Sequence, residues 1–411
     1  MPVTYDAIIV GARCAGSATA MLLARKGYRV LVVDRAHFPS DTLSAHALRI
    51  PAVAKLRKWG LFDAMVALGA PPIRDVRIDF GPVALTGAAV PLDGADAMYA
   101  PRRYLLDTLL ADAAVRAGAE LREGFTVLGL VYDGDRVAGI RGRTAAGTEV
   151  VERAKVVVGA DGMRSMVARM VDAPAYATHQ GLTCGYYTYY EDVPVLHDGE
   201  LYVRDGSFSL AVPTNDGQTQ VAFLRPITHF GKVRTNVEAE MFATLAGASA
   251  SLAERVRGGR RAERFYGTGD LPFFARKPYG PGWMLAGDAG CHKDPIMAQG
   301  MKDAFYSAEL VAGALDDVFA GRSSFEAAGA RYEATRNDQT MPLYQLALQF
   351  ASLAPPPPEM QAVIAALPGN QADTSRLFGV MEGSFPVAEF FDPANLERIV
   401  RGGTPELLKA S

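Results

Sequence analysis

The residues best suited to chemistry in this sequence lie where short apolar runs end in glycine or an acid. Ala7-Ile8-Ile9-Val10 leads directly into Gly11-Ala12-Arg13-Cys14-Ala15-Gly16. Small and apolar residues at helical spacing follow from Ser17 to Lys26, and a second apolar run, Tyr28 to Val33, ends in Asp34. A glycine turn feeding a helix leaves unpaired N–H groups and the positive end of the helix dipole aimed at one place, which suits a pyrophosphate. Gly11 permits the tight turn, and Gly16 lets the helix pack closely on the sheet. Asp34 is placed to accept hydrogen bonds from an adenosine ribose. Strand, glycine turn, helix, strand and acid at this spacing read as the first βαβ unit of a dinucleotide-binding fold. Position 13, glycine in the usual motif, is arginine here. Its charge either serves the phosphates or belongs to an exposed side chain on an ordinary strand–helix turn.

Two further segments share this design. Lys155 to Val158 reads as a buried strand ending in Gly159-Ala160-Asp161-Gly162, with Ser165 close behind. Trp283 to Ala286 ends in Gly287-Asp288, followed by Asp294-Pro295 and Gln299-Gly300-Met301-Lys302. The apolar spacing predicts a long helix from Met301 to Val318.

In this order the three motifs resemble those of the FAD-dependent aromatic hydroxylases, the class A flavoprotein monooxygenases. That superfamily also holds geranylgeranyl-reductase-like enzymes and flavin halogenases. The resemblance runs from residue 1 to about 320 and implies FAD as cofactor, with NAD(P)H as a transient electron donor. By position, it implies that Gly11, Arg13, Ala15 and Gly16 line the pyrophosphate, that Asp34 holds the ribose, and that Arg35 lies beside the adenine. Val127 is implied to contact adenine through its backbone. Arg103, in an Arg-x-x-Leu-Asp run opening a helix from Tyr104 to Ala117, is implied to touch FAD, the alternative being a solvated Arg102/Arg103 pair. Asp161 and Gly162 match a motif serving FAD and NAD(P)H, and Asp288 is implied to bond the ribityl hydroxyls. Pro295 is implied to flank the isoalloxazine. Gly300, Met301 and Lys302 open the helix whose N–H groups face the flavin pyrimidine, where reduced flavin carries negative charge.

The sequence departs from the family in the segment after the second strand. Many members carry a pyrophosphate-contacting arginine there, whereas Pro39-Ser-Asp-Thr-Leu-Ser-Ala-His46 has none. Arg13 is expected to replace that charge. His46 falls near the flavin by position, and Cys291-His292-Lys293 precedes Pro295. His46 and His292 are the catalytic candidates, a structural role being the alternative for each.

The elements that must position these residues form three parts. The reading is α/β (α+β overall). A Rossmann-like FAD-binding domain takes residues 1–74, 99–172 and 276–330. An interleaved, mostly antiparallel β-sheet substrate domain takes 75–98 and 173–275, and a helical C-terminal region takes 331–411. The β-sheet lobe is read from alternating runs at Gly181–Val193, Leu201–Arg204, Ser207–Val212 and Thr219–Leu224. Tyr187, Tyr189, Phe208 and Phe223 are candidates for an apolar substrate pocket, with sheet core the alternative for each. The tail is expected to pack on the FAD domain or to cover the active-site entrance.

Bulk composition narrows the function. Across 411 residues, Lys+Arg 42 against Asp+Glu 45 leaves a net charge of −3. No basic excess points to nucleic acid or an anionic membrane. Three cysteines, Cys14, Cys184 and Cys291, make neither a disulfide framework nor a zinc pair. The N-terminus lacks a secretory pattern, and no uninterrupted apolar run reaches membrane-spanning length. A cytoplasmic enzyme, monomer or homodimer, is expected. Its expected partners are O2 and a small apolar substrate, hydroxylated or epoxidised through a flavin C4a-hydroperoxide. The alternative is a geranylgeranyl-reductase-like saturation of an isoprenoid or other alkene. Halogenases of the superfamily carry Trp-x-Trp-x-Ile-Pro, but the only tryptophans here are Trp59 and Trp283.

Overall fold

A computed structural model describes residues 4–402. Met1 to Val3 and the last nine residues of the expected tail, 403–411, lie outside the described residues. The β-branched runs form the centre of a largely parallel sheet. Its strands stand in the order Tyr279–Gly280, Trp283–Leu285, Glu149–Gly159, Thr4–Val10, Val30–Val33, Glu120–Arg122. Thr4–Val10 lies between two parallel partners, with Ile8 opposite Val157 on one side and Leu31 on the other. A strand flanked this way is buried on both faces, which is why its Ala7–Val10 stretch is uniformly apolar.

One face of this sheet is covered by the helices Cys14–Ala24, Arg103–Arg116 and Gly300–Phe319. The other is covered by the antiparallel pair Thr126–Asp133 and Arg136–Arg143 with the short helix Met166–Met170. All three glycine–acid motifs sit at the carboxyl ends of adjacent parallel strands, Thr4–Val10, Glu149–Gly159 and Trp283–Leu285. Crevices outside such strand ends are where ligands of open α/β sheets bind.

The second lobe is a sheet with the path Arg260–Arg261, Thr183–Glu191, Thr219–Pro226, Ser207–Pro213, Gly199–Arg204, Val76–Asp79, Ala84–Gly87. Only the junction of Gly199–Arg204 with Val76–Asp79 is parallel among these neighbours. The strands between residues 75 and 98 thus complete a sheet built mostly from later sequence. Successive side chains alternate between faces. Cys184, Tyr190, Tyr202, Ala211, Val221 and Phe223 point to a back face, covered by the helices Val237–Ala248 and Ala250–Gly258. This helical pair had no counterpart in the sequence reading of an all-β lobe.

Beyond residue 320, the helix Phe325–Ala351 packs on Gly300–Phe319. The shorter helices Pro358–Ala366, Gln371–Glu382 and Pro393–Val400 close over the front of the second sheet. Within the helical C-terminal region, Gly383 takes φ +83° and caps the helix Gln371–Glu382. The terminal helices lie against both the second sheet and the strand-end loop. Leu377, Phe378, Phe385 and Phe390 share a core with Leu201, Phe208 and Leu224 of the sheet and Met297 of the strand-end loop.

Candidate active site

A cavity of about 1200 Å³ runs from Asp34 and Arg35, along the strand ends, to the front of the second sheet. That exceeds the roughly 300–1,000 Å³ usual for one small ligand and leaves room for a dinucleotide and a substrate together.

At the nucleotide end, the backbone makes the site. Gly11 has φ +101°, and a side chain there would press on the Ala160 carbonyl. A side chain at Gly16 would collide with the carbonyl of Gly11. The helix Cys14–Ala24 starts with no side-chain cap and no acid in its first turn. Its first N–H groups are therefore left for an anion. Asp34 accepts from the Ala12 N–H at 2.7 Å and the Ala36 N–H at 2.8 Å, which fixes its carboxylate at the cavity edge. Arg35, Val127 and Gly162 line the same end.

Arg13 is not a free charge beside the phosphates. Its guanidinium donates to Asp107 at 2.6 Å, and to the Ser40 carbonyl at 3.0 Å. Asp107, fully buried, also takes three hydrogen bonds from Arg103 at 3.0–3.1 Å. Arg103 is thus no solvated surface residue. Burial works against its charge, but Asp107 overcomes this and holds its pKa above the ordinary value. Two guanidiniums share one carboxylate, so the cluster presents one net positive charge to the cavity. Arg13 reaches the very segment that lacks the family's arginine.

Asp161 lines the cavity, but its carboxylate is committed locally. It accepts from the Ser165 hydroxyl at 2.5 Å and the Met166 N–H at 2.6 Å, capping the helix Met166–Met170.

At the middle of the cavity, Asp288 has no hydrogen-bond or ion-pair partner among the described residues, and burial pushes its pKa up. An unpaired buried carboxylate is costly, and hydroxyl donors such as a ribityl chain would satisfy it. Pro295 follows, and Ala298 adopts φ +51° to turn the chain into the helix Gly300–Phe319, which also begins without a side-chain cap. Gly300 and Met301 line the cavity. Lys302 does not: its ammonium turns to Asp303 at 3.1 Å, so only its backbone faces the helix start. Lys293, which does line the cavity, donates to the same Asp303 at 2.5 Å. The Gln299 Oε1 atom is buried with no partner. These features fit FAD: a side-chain-free phosphate cradle, an unpaired carboxylate and an uncapped helix start, in that order along one crevice.

At the far end, the sheet front makes the wall in three cross-strand rows. Gly185, Leu224 and Phe208 form the first; Tyr187, Ala222, Leu210 and Leu201 the second; Tyr189, Gln220 and Val212 the third. All but Tyr189 line the cavity. Phe208 and Tyr187 are therefore wall residues. Tyr189, on the same face, is fully buried against His46, and Phe223 requires correction as a pocket candidate. It is fully buried on the back face, stacked on Tyr186. A single sequence gives the alternation of a strand but not which face meets a ligand, which is also why Gln220, Leu210 and Leu224 were missed.

Both histidines line the cavity and are held through Nδ1. His46, fully buried with φ +61°, donates from Nδ1 to the Ser44 carbonyl at 2.8 Å, and burial pulls its pKa down to about 4. Its unprotonated Nε2 accepts from the Tyr189 hydroxyl at 2.7 Å. His292 bonds the Pro272 carbonyl through Nδ1 and stacks on Phe274. Nearby, Asp294 accepts from Thr183 at 2.5 Å and from the Ile296 N–H at 2.9 Å; burial raises its pKa to about 6.

The tail is tied to residues beside this end. Arg49 pairs with Glu382 in a buried contact and donates to the Met297 carbonyl at 2.8 Å, while Gln299 donates to the Met381 carbonyl at 2.6 Å. No sequence pattern linked these residues.

Residues 4–346 match the family described as "FAD binding domain". The chain belongs to that family. This flavoenzyme is a FAD-dependent oxidoreductase. It is 33% identical over 192 residues to the probable electron transfer flavoprotein-quinone oxidoreductase YdiS of Escherichia coli, a match spanning 43% of this chain and 41% of that protein. It is 24% identical to the digeranylgeranylglycerophospholipid reductase of Methanocella arvoryzae, over 80% of this chain and 82% of that one. Among solved structures, the flavin-dependent brominase Bmp2 superposes with a TM-score of 0.81 at 22% identity, covering 97% of this chain and 98% of the other. PqsL of Pseudomonas aeruginosa, a probable FAD-dependent monooxygenase, does so with a TM-score of 0.72 at 20% identity, covering 92% and 100%. Those two likenesses speak for the fold. Among the described residues, no helix is long and apolar enough to cross a membrane.

Proposed function

We propose that this flavoenzyme is an NAD(P)H-dependent monooxygenase that hydroxylates or epoxidises an uncharged, apolar small molecule, aromatic or polyketide-like in character. The observation that carries the reading is the front of the second sheet. Leu201, Phe208, Leu210, Val212, Ala222 and Leu224 form an apolar wall opposite the turn at Pro295–Met297. Bound FAD supplies the redox chemistry, accepting a hydride from the nicotinamide and passing electrons to O2. The chain's residues do the rest. The helix start at Gly300 would face the flavin's electron-rich edge, Asp288 would hold its ribityl chain, and the sheet wall would exclude water from it.

Arg49 at this end is matched by Glu382, so it offers an anionic headgroup no free countercharge. Halogenation is disfavoured because Trp59 and Trp283 are both core residues away from the cavity. The reductase reading keeps support from the identity with the archaeal reductase over four-fifths of the chain and from the Asp294-Pro295-Ile296 stretch. Purified yellow protein with NADPH and a panel of aromatic ketones and phenols tests the choice. Substrate-dependent NADPH loss with matching O2 uptake supports the monooxygenase. An anaerobic product two hydrogens richer replaces it with the reductase.

A further inference from the structure

The sheet wall is graded along its length. Its Gly185–Leu224–Phe208 row, beside Ile296 and Met297, is wholly apolar. Its other end gathers polar groups around His46. Hydrogen-bond accounting there leaves two side chains unfinished.

His46 Nδ1 must carry the proton, because its 2.8 Å partner, the Ser44 carbonyl, can only accept. Nε2 is then the acceptor for Tyr189, which consumes that hydroxyl's proton. Arg102, 3.9 Å over the Tyr189 ring, holds the ring in place and is itself paired with Glu263 and Asp41. Tyr187 is different. Its hydroxyl oxygen accepts a long bond from the Ser44 N–H at 3.4 Å, and its own proton has no acceptor among the described residues. Gln220 is only 2% exposed and lines the cavity. Among the described residues its sole side-chain neighbour within bonding range is His46 Nδ1 at 3.4 Å, a nitrogen already donating to Ser44. Whichever way the Gln220 amide is turned, one of its polar atoms is left for a ligand.

We propose that Tyr187 and Gln220 form a hydrogen-bonding subsite for one uncharged oxygen of the substrate, a ketone or phenol. The apolar remainder then lies along Ala222, Leu210, Leu224 and Phe208 towards the Pro295–Met297 turn. His46 is a positioning residue, since its bonds to Ser44 and Tyr189 fix the loop and strand that carry the subsite. An anionic group finds no free countercharge on Arg102, which is already paired with Asp41 and Glu263. The inference rests on the proposed reading of this wall as the substrate side, and its test needs no turnover.

The holoenzyme is titrated with naphthalene, 2-naphthol, 2-acetonaphthone and 2-naphthoate, and binding is followed by the change in flavin absorbance. Naphthol and acetonaphthone are expected to bind about tenfold tighter than naphthalene, the worth of one net buried hydrogen bond, and naphthoate weakest. Y187F and Q220L should each cut that preference several-fold while leaving naphthalene affinity and FAD content unchanged; Q220M, closer in shape, substitutes for Q220L if FAD content falls. Equal binding of naphthalene and naphthol, a preference surviving both substitutions, tightest binding of naphthoate, or no response to any probe would overturn the subsite. Failure of oxygen transfer with unchanged binding would count against the monooxygenase reading alone.

Discussion

The two ends of the cavity are built from different materials. The nucleotide end is made by backbone: Gly11 and Gly16 admit no side chain, and the helix Cys14–Ala24 offers bare N–H groups. The sheet end is made by side chains, with the backbone occupied in strand pairing. The first kind of site constrains residue type tightly, because a Cβ in the wrong place strikes a carbonyl. The second constrains only size and polarity, and many sequences satisfy it.

The largest effect should come from breaking the backbone end. Gly11→Val forces a β-branched residue into φ +101° against Ala160. The variant is expected to purify without bound FAD, read from the flavin-to-protein absorbance ratio. A yellow variant of normal stoichiometry would mean that the cradle tolerates side chains after all.

At the sheet end, Phe223→Ala separates core from wall. Because Phe223 is fully buried on the back face, the loss should be about 3–5 kcal/mol of stability, measured by urea unfolding. Naphthalene binding by whatever remains folded should be unchanged. A weakened ligand with little loss of stability would return Phe223 to the pocket.

The contrast also has a pH signature. His46 prefers its neutral form in the fold, with pKa about 4 against 6.5 unfolded. Its contribution is present above pH 6.5 and is lost as pH falls towards 4. Asp294 prefers its protonated form, with pKa about 6 against 3.8. Its contribution is present below pH 3.8 and is lost as pH rises through 6. Each is worth on the order of 3 kcal/mol, and the two oppose each other over the same window. His46→Gln should therefore gain stability on acidification from pH 6.5 to 4, relative to the parent. Asp294→Asn should lose it. Denaturation midpoints across that range check both slopes, and parallel curves for all three proteins would contradict the account.

The smallest effect is expected at Asp288. Asp288→Asn replaces a charged acceptor with a neutral one, and FAD affinity should fall by roughly ten- to a hundredfold, measured by fluorescence on reconstituting apoprotein. No change would show that the carboxylate does not meet the cofactor.

This division explains what the sequence revealed. Gly11, Gly16, Asp34 and Asp288 were legible because each is required by local backbone geometry or by a short strand-end motif. The parallel sheet and long helices were legible from their apolar periods. Arg13 was read as a charge for phosphate because its partner, Asp107, stands 94 residues away and no local pattern links them. Phe223 and Leu224 are adjacent on one strand, yet one is core and the other wall. Only the helices Val237–Ala248 and Ala250–Gly258, packed behind the sheet, decide which. Glu382 likewise reaches Arg49 across 333 positions. Contacts of that range are set by the tertiary fold, not by spacing along the chain.

The central claim is that the apolar sheet wall presents a substrate for oxygen insertion. Turnover of the holoenzyme with NADPH and a bound aromatic ketone or phenol under isotope-labelled O2, followed by mass spectrometry of the product, tests it most directly. The account predicts a product heavier by one labelled oxygen atom. A product carrying no label, enriched instead by two hydrogens and formed equally well without O2, would contradict it.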